Sequence, residues 1–168
     1  MKTLIFGLFL MGLTTQFYAQ DRIKTTQLPE VYVVHNYKYL NSIDSEDGAI
    51  PVENLQLKAS DFDIKDLDVY SEENDLYDVY FFIPEGKILA SYNDKGELLS
   101  TAERYKDTKL PNQVSKAIKE RFPNWTVSKN VYLVNYRETG HLRKLYKVTL
   151  ENGGKRIKIK IDDLGNFQ

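Results

Sequence analysis

Few residues of this sequence have the types and spacing that catalysis requires. The chain has no cysteine, and its two histidines, His35 and His141, lie in different halves. Thiolate chemistry is thereby excluded, and a transition-metal site would need both histidines together with distant carboxylates. The G-x-S-x-G, P-loop and G-x-G-x-x-G motifs are also missing. We therefore expect a non-enzymatic protein with no cofactor and no metal ion.

A run of carboxylates is the one pattern that favours a hard cation. The segment from Ser60 to Tyr80 carries Asp61, Asp63, Asp66, Asp68, Glu72, Glu73, Asp75 and Asp78. Calcium binds several converging oxygens, but the run lacks the D-x-D-x-D-G order and has Phe62, Ile64 and Leu67 interleaved. This pattern is typical of a solvated acidic face, with a calcium site as the alternative.

Charge divides the chain into two parts. Residues 21–100 contain 7 Lys+Arg against 17 Asp+Glu, whereas residues 101–168 contain 15 against 7. The basic part ends in a predicted hairpin, in which Val148 and Leu150 alternate with polar residues and Ile157, Ile159 and Ile161 alternate with cations. One face of this hairpin is therefore predicted to pack in the core, and the other, here called the wet face, is predicted to face solvent.

The wet face of the hairpin carries a basic stripe of Lys147, Arg156, Lys158 and Lys160. A two-residue turn at Asn152-Gly153 places Lys147 opposite Lys158, and a four-residue loop places it opposite Lys160; an odd loop would put apolar residues on the wrong face. Either permitted register sets like charges across the ladder, which destabilises it slightly.

We expect this stripe to lie against something acidic. The partner is the acidic half of the same chain, another protein, or an anionic glycan or lipid. The alternative is an ordinary wet face that lysine keeps soluble. Tyr132 and Tyr136 are added as candidate partner-binding residues, because tyrosine suits both strands and interfaces.

The N-terminus predicts export. Lys2 and the apolar run from Leu4 to Leu13 are typical of a secretory signal peptide over residues 1–19, with cleavage near Ala19, and no later apolar segment is long enough to span a bilayer. The mature protein is expected in the periplasm or outside the cell, where we expect no nucleic-acid partner. Residues 20–50 contain one predicted strand, which begins at Leu28.

The remaining chain reads as two similar units, 51–109 and 110–168. The 24 residues from Leu76 align with the 24 from Leu145, an offset of 69, and six positions are identical. Each hairpin is preceded by a helix, predicted over Ile50–Ser60 and within Leu110–Trp125. We therefore predict an α+β fold built from tandem helix-plus-antiparallel-sheet repeats.

The second unit resembles the PepSY-like family, also described as β-lactamase-inhibitor-like, of small exported bacterial proteins. The likeness covers residues 110–168 and rests on Leu-Pro, a short helix, Phe-Pro, an aromatic residue and a final Asp-x-x-Gly. The matching residues are Leu110, Pro111, Phe122, Pro123, Trp125, Asp162 and Gly165. The resemblance implies a tandem helix-on-sheet fold and an extracytoplasmic role in binding or inhibition, without catalytic residues.

These observations predict an exported binding or inhibitory module that engages a cell-envelope protein or peptide through the open face of its sheet. The alternative is a binder of an anionic small molecule or glycan. The sequence does not indicate an oligomeric state.

Overall fold

A computed structural model describes residues 36–44 and 47–168. Three α-helices, α1 to α3, span Tyr37–Ile43, Ile50–Ser60 and Asn112–Arg121, and a short 3-10 helix spans Ile64–Asp66. Six strands, β1 to β6, span Leu76–Ile83, Gly86–Asn93, Leu98–Lys106, Thr126–Arg137, His141–Asn152 and Lys155–Asp162. The predicted signal peptide, its cleavage site and His35 lie outside the described residues. Within the described ranges, no helix is long and apolar enough to cross a membrane.

The six strands form one antiparallel sheet in chain order, from β1 at one edge to β6 at the other. The helices pack on one face of this sheet, and their apolar residues join those of the strands in a single buried cluster. The predicted α+β class is therefore confirmed. The described chain runs through α1, α2, the 3-10 helix and three strands, then through α3 and three more strands.

Local sequence signals place α2 and α3 correctly. Helix α2 has Pro51 in its first turn, where a missing N–H costs nothing, and buries one side of its surface in the core. Helix α3 buries Val114 and Ile118 and ends at Arg121, because Pro123 disfavours helical backbone at Phe122. Trp125 packs half-buried against the core beyond the end of this helix.

The strand predicted from Leu28 is wrong over its last residues. Residues 37–40 belong to α1, and the earlier residues of that segment lie outside the described part of the chain. Tyr39 and Ile43 are buried four residues apart, which is the spacing of one helical face. Tertiary contacts therefore override the strand propensity of the tyrosines around Lys38.

The basic hairpin adopts the second of the two permitted registers. Lys147 lies opposite Lys160, and Asn152 lies opposite Lys155. The connecting residues are Gly153 and Gly154, both with positive φ, as a tight hairpin turn requires. The loop is therefore two residues long but one position later than Asn152-Gly153.

Two turns that lie 69 residues apart form the same hydrogen bonds. Asn93 accepts at its backbone oxygen from Gly96 N and at its side-chain Oδ1 from the N–H groups of residues 95 and 97. Asp162 accepts in the same way from Gly165 N and from the N–H groups of residues 164 and 166. The Asp-x-x-Gly signal thus has a close structural counterpart in the first half of the chain.

Gly86 is held against the neighbouring strand more tightly than any side chain allows. A Cβ placed there would lie 2.5 Å from the carbonyl oxygen of Arg104 and 2.5 Å from the ring of the buried Tyr105. We expect Gly86→Ala to lower the free energy of unfolding by about 2 kcal/mol or more, because the backbone must move apart. Urea denaturation measures this loss.

Lys87→Ala is the matched control for the glycine substitution. Lys87 is the next residue of β2 and its side chain is exposed, so its removal should change stability by less than about 0.5 kcal/mol. Equal stability of the Gly86→Ala and Lys87→Ala variants would contradict the close approach of β2 and β3.

Candidate functional site: the open sheet face

The two faces of the sheet differ in cover and in charge. The helix-covered face, here called the core face, holds Tyr132 and Val134 of β4 beneath the helices. The opposite face, here called the open face, is not covered by any of the described helices. On this face, residues directly opposite one another on neighbouring strands form rows across the sheet. One such row contains Lys87, Arg104, Leu133 and Leu145. Side chains alternate between the faces, so the register assigns every strand residue to one of them.

Cations dominate the open face. The cross-strand register places ten of them there, all exposed: Lys87, Arg104, Lys106, Lys129, Arg137, Arg143, Lys147, Arg156, Lys158 and Lys160. The same register gives the open face three carboxylates: Asp78, Glu151 and Asp162. This excess of positive charge over one flat surface creates a potential that attracts anions.

The predicted basic stripe lies on this open face and is only partly neutralised. Arg156 Nε lies 2.6 Å from Glu151 Oε1, an ion pair within the hairpin. Lys147, Lys158 and Lys160 form no ion pair with any described residue. The acidic residues of the described chain therefore do not cover these three lysines.

The structure separates the two candidate tyrosines from the stripe. Tyr132 and Tyr136 lie on the core face with 7% and 4% of their surface exposed. The Tyr132 ring stacks on that of Tyr146 at 4.3 Å, and the Tyr136 ring meets that of Tyr39 edge-on at 5.2 Å. Burial raises the pKa of the Tyr132 hydroxyl well above its usual value. These rings thus pack the core and do not reach a ligand on the open face.

A buried carboxylate on β3 joins the core face to the helices above it. Glu103 Oε1 accepts hydrogen bonds from Tyr39 Oη and Thr101 Oγ1, both at 2.7 Å. Its Oε2 accepts from Gln56 Nε2 and Tyr105 Oη, both at 2.8 Å. Tyr39 belongs to α1 and Gln56 to α2, so one side chain holds both helices on the sheet.

Glu103 is built as an anchor rather than as a catalytic base. Burial is the largest influence on its pKa and raises it, while the four hydrogen bonds act in the opposite direction. These donors occupy the four lone-pair positions of the carboxylate, so none is free to take a proton from a substrate. Across the described ranges, no three carboxylate or imidazole side chains converge in a way that could hold a metal ion.

A cleft of about 390 Å³ opens on the helical side of the sheet. Residues of α1 and α2 form its walls, Thr108 and Lys109 close one side, and the stacked rings of Tyr132 and Tyr146 form its floor. Gln56 lines this cleft and also binds Glu103. Its lining combines apolar side chains with three charged residues, Asp44, Glu53 and Lys109.

No known family model matches this sequence, and no curated protein is similar enough to count as a relative.

Sequence reasoning located the basic stripe but missed Glu103. The stripe was visible because its cations alternate with isoleucines at the period of a strand. Glu103 stands between Ala102 and Arg104 in a polar stretch and has no local sign of burial. Its donors Tyr39 and Gln56 lie 64 and 47 residues away, and no short motif connects them.

Removal of the Glu103 carboxylate should destabilise the fold strongly. Glu103→Leu leaves buried donors on Tyr39, Gln56, Thr101 and Tyr105 without an acceptor, so we expect a loss of about 3 kcal/mol or more. Glu103→Gln retains an acceptor and should lose clearly less. Urea denaturation of both variants at neutral pH makes the comparison, and equal losses would contradict the hydrogen-bonded role of the carboxylate.

The difference in stability between the wild type and Glu103→Gln should depend on pH. The pKa of Glu103 in the folded protein lies above its ordinary value of 4.5, so folding takes up a proton between these two values. The free energy of unfolding of the wild type, relative to Glu103→Gln, should therefore fall as the pH rises from about 4.5 through the folded pKa. A difference that stays constant or rises over this range would contradict the burial of the carboxyl group.

Proposed function

We propose that this protein is an exported, non-enzymatic binding or inhibitory module that engages an acidic surface or segment of a cell-envelope protein through its open sheet face. The observation that carries the proposal is the concentration of ten exposed cations against three carboxylates on that face. A partner with complementary charge gains both association rate and orientation from such a surface.

The pairing of Lys147 with Lys160 supports a binding role over a structural one. Two like charges directly opposite each other destabilise a strand pair slightly, so the fold alone gives no reason to place them there. The corresponding positions 69 residues earlier are Asp78 and Ser91, which lie opposite each other and form a hydrogen bond of 2.6 Å. An anionic partner would convert the repulsion between the lysines into attraction.

We also propose that residues 51–109 and 110–168 are tandem repeats of the PepSY-like type. Support comes from the matching hydrogen bonds at Asn93 and Asp162 and from the two hairpins, β1-β2 and β5-β6, which lie 69 residues apart. Export, with a periplasmic or secreted location, rests on the N-terminal sequence.

A second candidate function is the binding of an anionic small molecule or glycan. A depression of about 400 Å³ is lined by Lys129, Lys147, Lys158 and Lys160 together with Val131 and other residues of β4 to β6. Four cations around one depression would suit a compact multivalent anion. In this case, binding would not require a protein partner.

Charge reversal of the stripe tests the proposed function. The triple variant Lys147→Glu, Lys158→Glu, Lys160→Glu should lose at least tenfold in affinity for an acidic probe, heparin or a polyglutamate peptide, because three favourable charges become repulsive. Biolayer interferometry at 50 and 150 mM salt measures the affinity, and the wild-type affinity should fall as salt increases.

The matched control reverses three exposed lysines elsewhere: Lys58, Lys65 and Lys119. This variant has the same net charge as the first, so it should keep most of the wild-type affinity if position matters. Similar losses of affinity in both variants would mean that net charge alone determines binding, and this would contradict a site on the open face. Stronger binding of heparin fragments than of polyglutamate would favour the glycan alternative.

A further inference from the structure

Strand β6 forms an edge of the sheet whose apolar side chains are incompletely covered. Ile157 and Ile159 point to the core face but remain half-buried. The positions 69 residues earlier, Ile88 and Ala90 of β2, are fully buried at 0% exposed. Strand β2 has a neighbour on both sides, whereas β6 has only β5 as a neighbouring strand within the described part of the chain.

The backbone at this edge already accepts the beginning of another strand. Ile161 forms an antiparallel bridge with Phe167, and Gln168 N donates to the carbonyl oxygen of Lys160 at 3.0 Å. This bridge corresponds, at an offset of 69, to the pair of Tyr92 with Leu98. In the first half, that pair continues into β3.

The carbonyl group of Lys160 points away from β5, and this fixes the direction of the other backbone groups along β6. Alternate residues of a strand point their N–H and C=O groups the same way, so those of Lys158 and Arg156 also point away from β5. No described residue hydrogen-bonds these outward groups. The edge therefore offers a row of free backbone donors and acceptors.

The side chains along this edge favour an acidic strand. Lys158 and Lys160 stand on the open face, and Ile157 and Ile159 on the core face. A complementary strand would carry acidic side chains on one face and apolar ones on the other, and so would alternate the two types.

The opposite edge of the sheet differs in its charge and in the cover of its core side. On the core side of β1, the rings of Phe62 and Tyr70 cover Phe81 and Tyr77, which are 6% and 7% exposed. The open face of β1 carries Asp78 in place of a lysine. The core side of the first edge is thus covered by its own chain, whereas its open side exposes Leu76, Tyr80 and Phe82 and has no excess of positive charge.

Two copies of β6 would pair poorly with each other. Such pairing would bring the cations of both strands onto one face, and lysines on edges commonly prevent association of this kind. A strand with alternating carboxylates escapes this repulsion. Edge lysines thereby select among partners as well as protect the edge.

We propose that β6 accepts, by antiparallel strand addition, an extended segment of a partner protein in which acidic and apolar residues alternate. This inference rests on the proposed function and specifies how the partner binds. The added strand would receive backbone hydrogen bonds from Lys158 and Arg156, place its carboxylates beside the side chains of these two residues, and cover Ile157 and Ile159.

A set of three peptides separates strand addition from simple charge attraction. The first peptide alternates glutamate and valine over eight residues, the second has the same composition as four glutamates followed by four valines, and the third repeats the first with N-methyl groups on alternate amides. Fluorescence anisotropy with the mature chain should show the first peptide binding at least tenfold more tightly than the other two, because only it combines alternation with a full set of backbone donors.

Substitutions at Lys158 test the same edge from the protein side. Lys158→Pro removes an outward N–H that no strand of the sheet uses, and proline is tolerated at such positions, whereas Lys158→Ala removes the charge alone. We expect the alanine variant to lose affinity for the alternating peptide a few-fold and the proline variant at least tenfold more. Thermal unfolding checks that both variants are folded.

Each outcome has a distinct meaning. Equal binding of all three peptides, with loss of binding in the triple glutamate variant, would overturn strand addition but leave the basic-face function standing. Failure of every peptide and of heparin to bind would overturn both proposals. Concentration-dependent self-association that Lys158→Pro abolishes would assign the edge to a second copy of the chain and overturn the peptide proposal.

Discussion

The hydrogen bonds of the buried Glu103 carboxylate are the interaction on which the arrangement of the molecule depends. A charge taken out of water costs several kcal/mol unless its lone pairs are satisfied, and here four donors satisfy them. Two of these donors come from α1 and α2, so the cost of burial is reduced in full only when both helices pack on β3. The carboxylate thus ties the covered face of the sheet to its helices.

The open face is the side of the sheet that the described helices leave uncovered. Helices occupy one side of the sheet, so the residues that alternate with the core project into solvent on the other. Leu145 shows how apolar surface on that side is shielded from water: it is only 5% exposed although no described helix lies over it, because Arg143, Lys147 and Lys160 surround it. Long basic side chains cover apolar surface with their stems and keep their charged ends in water. The same lysines therefore protect the sheet and present a cationic surface to a partner.

The parts of the fold that depend on local sequence were predictable. Pro51 and Pro123 mark helix boundaries, and the alternation of isoleucine with lysine marks β6. The alternation of apolar and charged residues limited the hairpin to two registers. The choice between them depended on Gly153 and Gly154, whose positive φ values the sequence permits without requiring. Residues 37–40 were predicted wrongly because their helix is stabilised by Tyr39, whose partner lies on a distant strand. The burial of Glu103 and the position of Tyr132 on the core face were not predicted, for the same reason. Both depend on contacts between elements far apart in the chain.

The central claim is that Glu103 is a desolvated carboxyl group shared by two helices and the sheet. The most direct test is to titrate the carbon-13 resonance of its side-chain carboxyl group by NMR. The account predicts a midpoint above 4.5, accompanied at the same pH by changes in the Tyr39 ring and Gln56 amide resonances. A midpoint at or below 4.5, with no response from Tyr39 or Gln56, is the behaviour of a solvated carboxyl group and would contradict it.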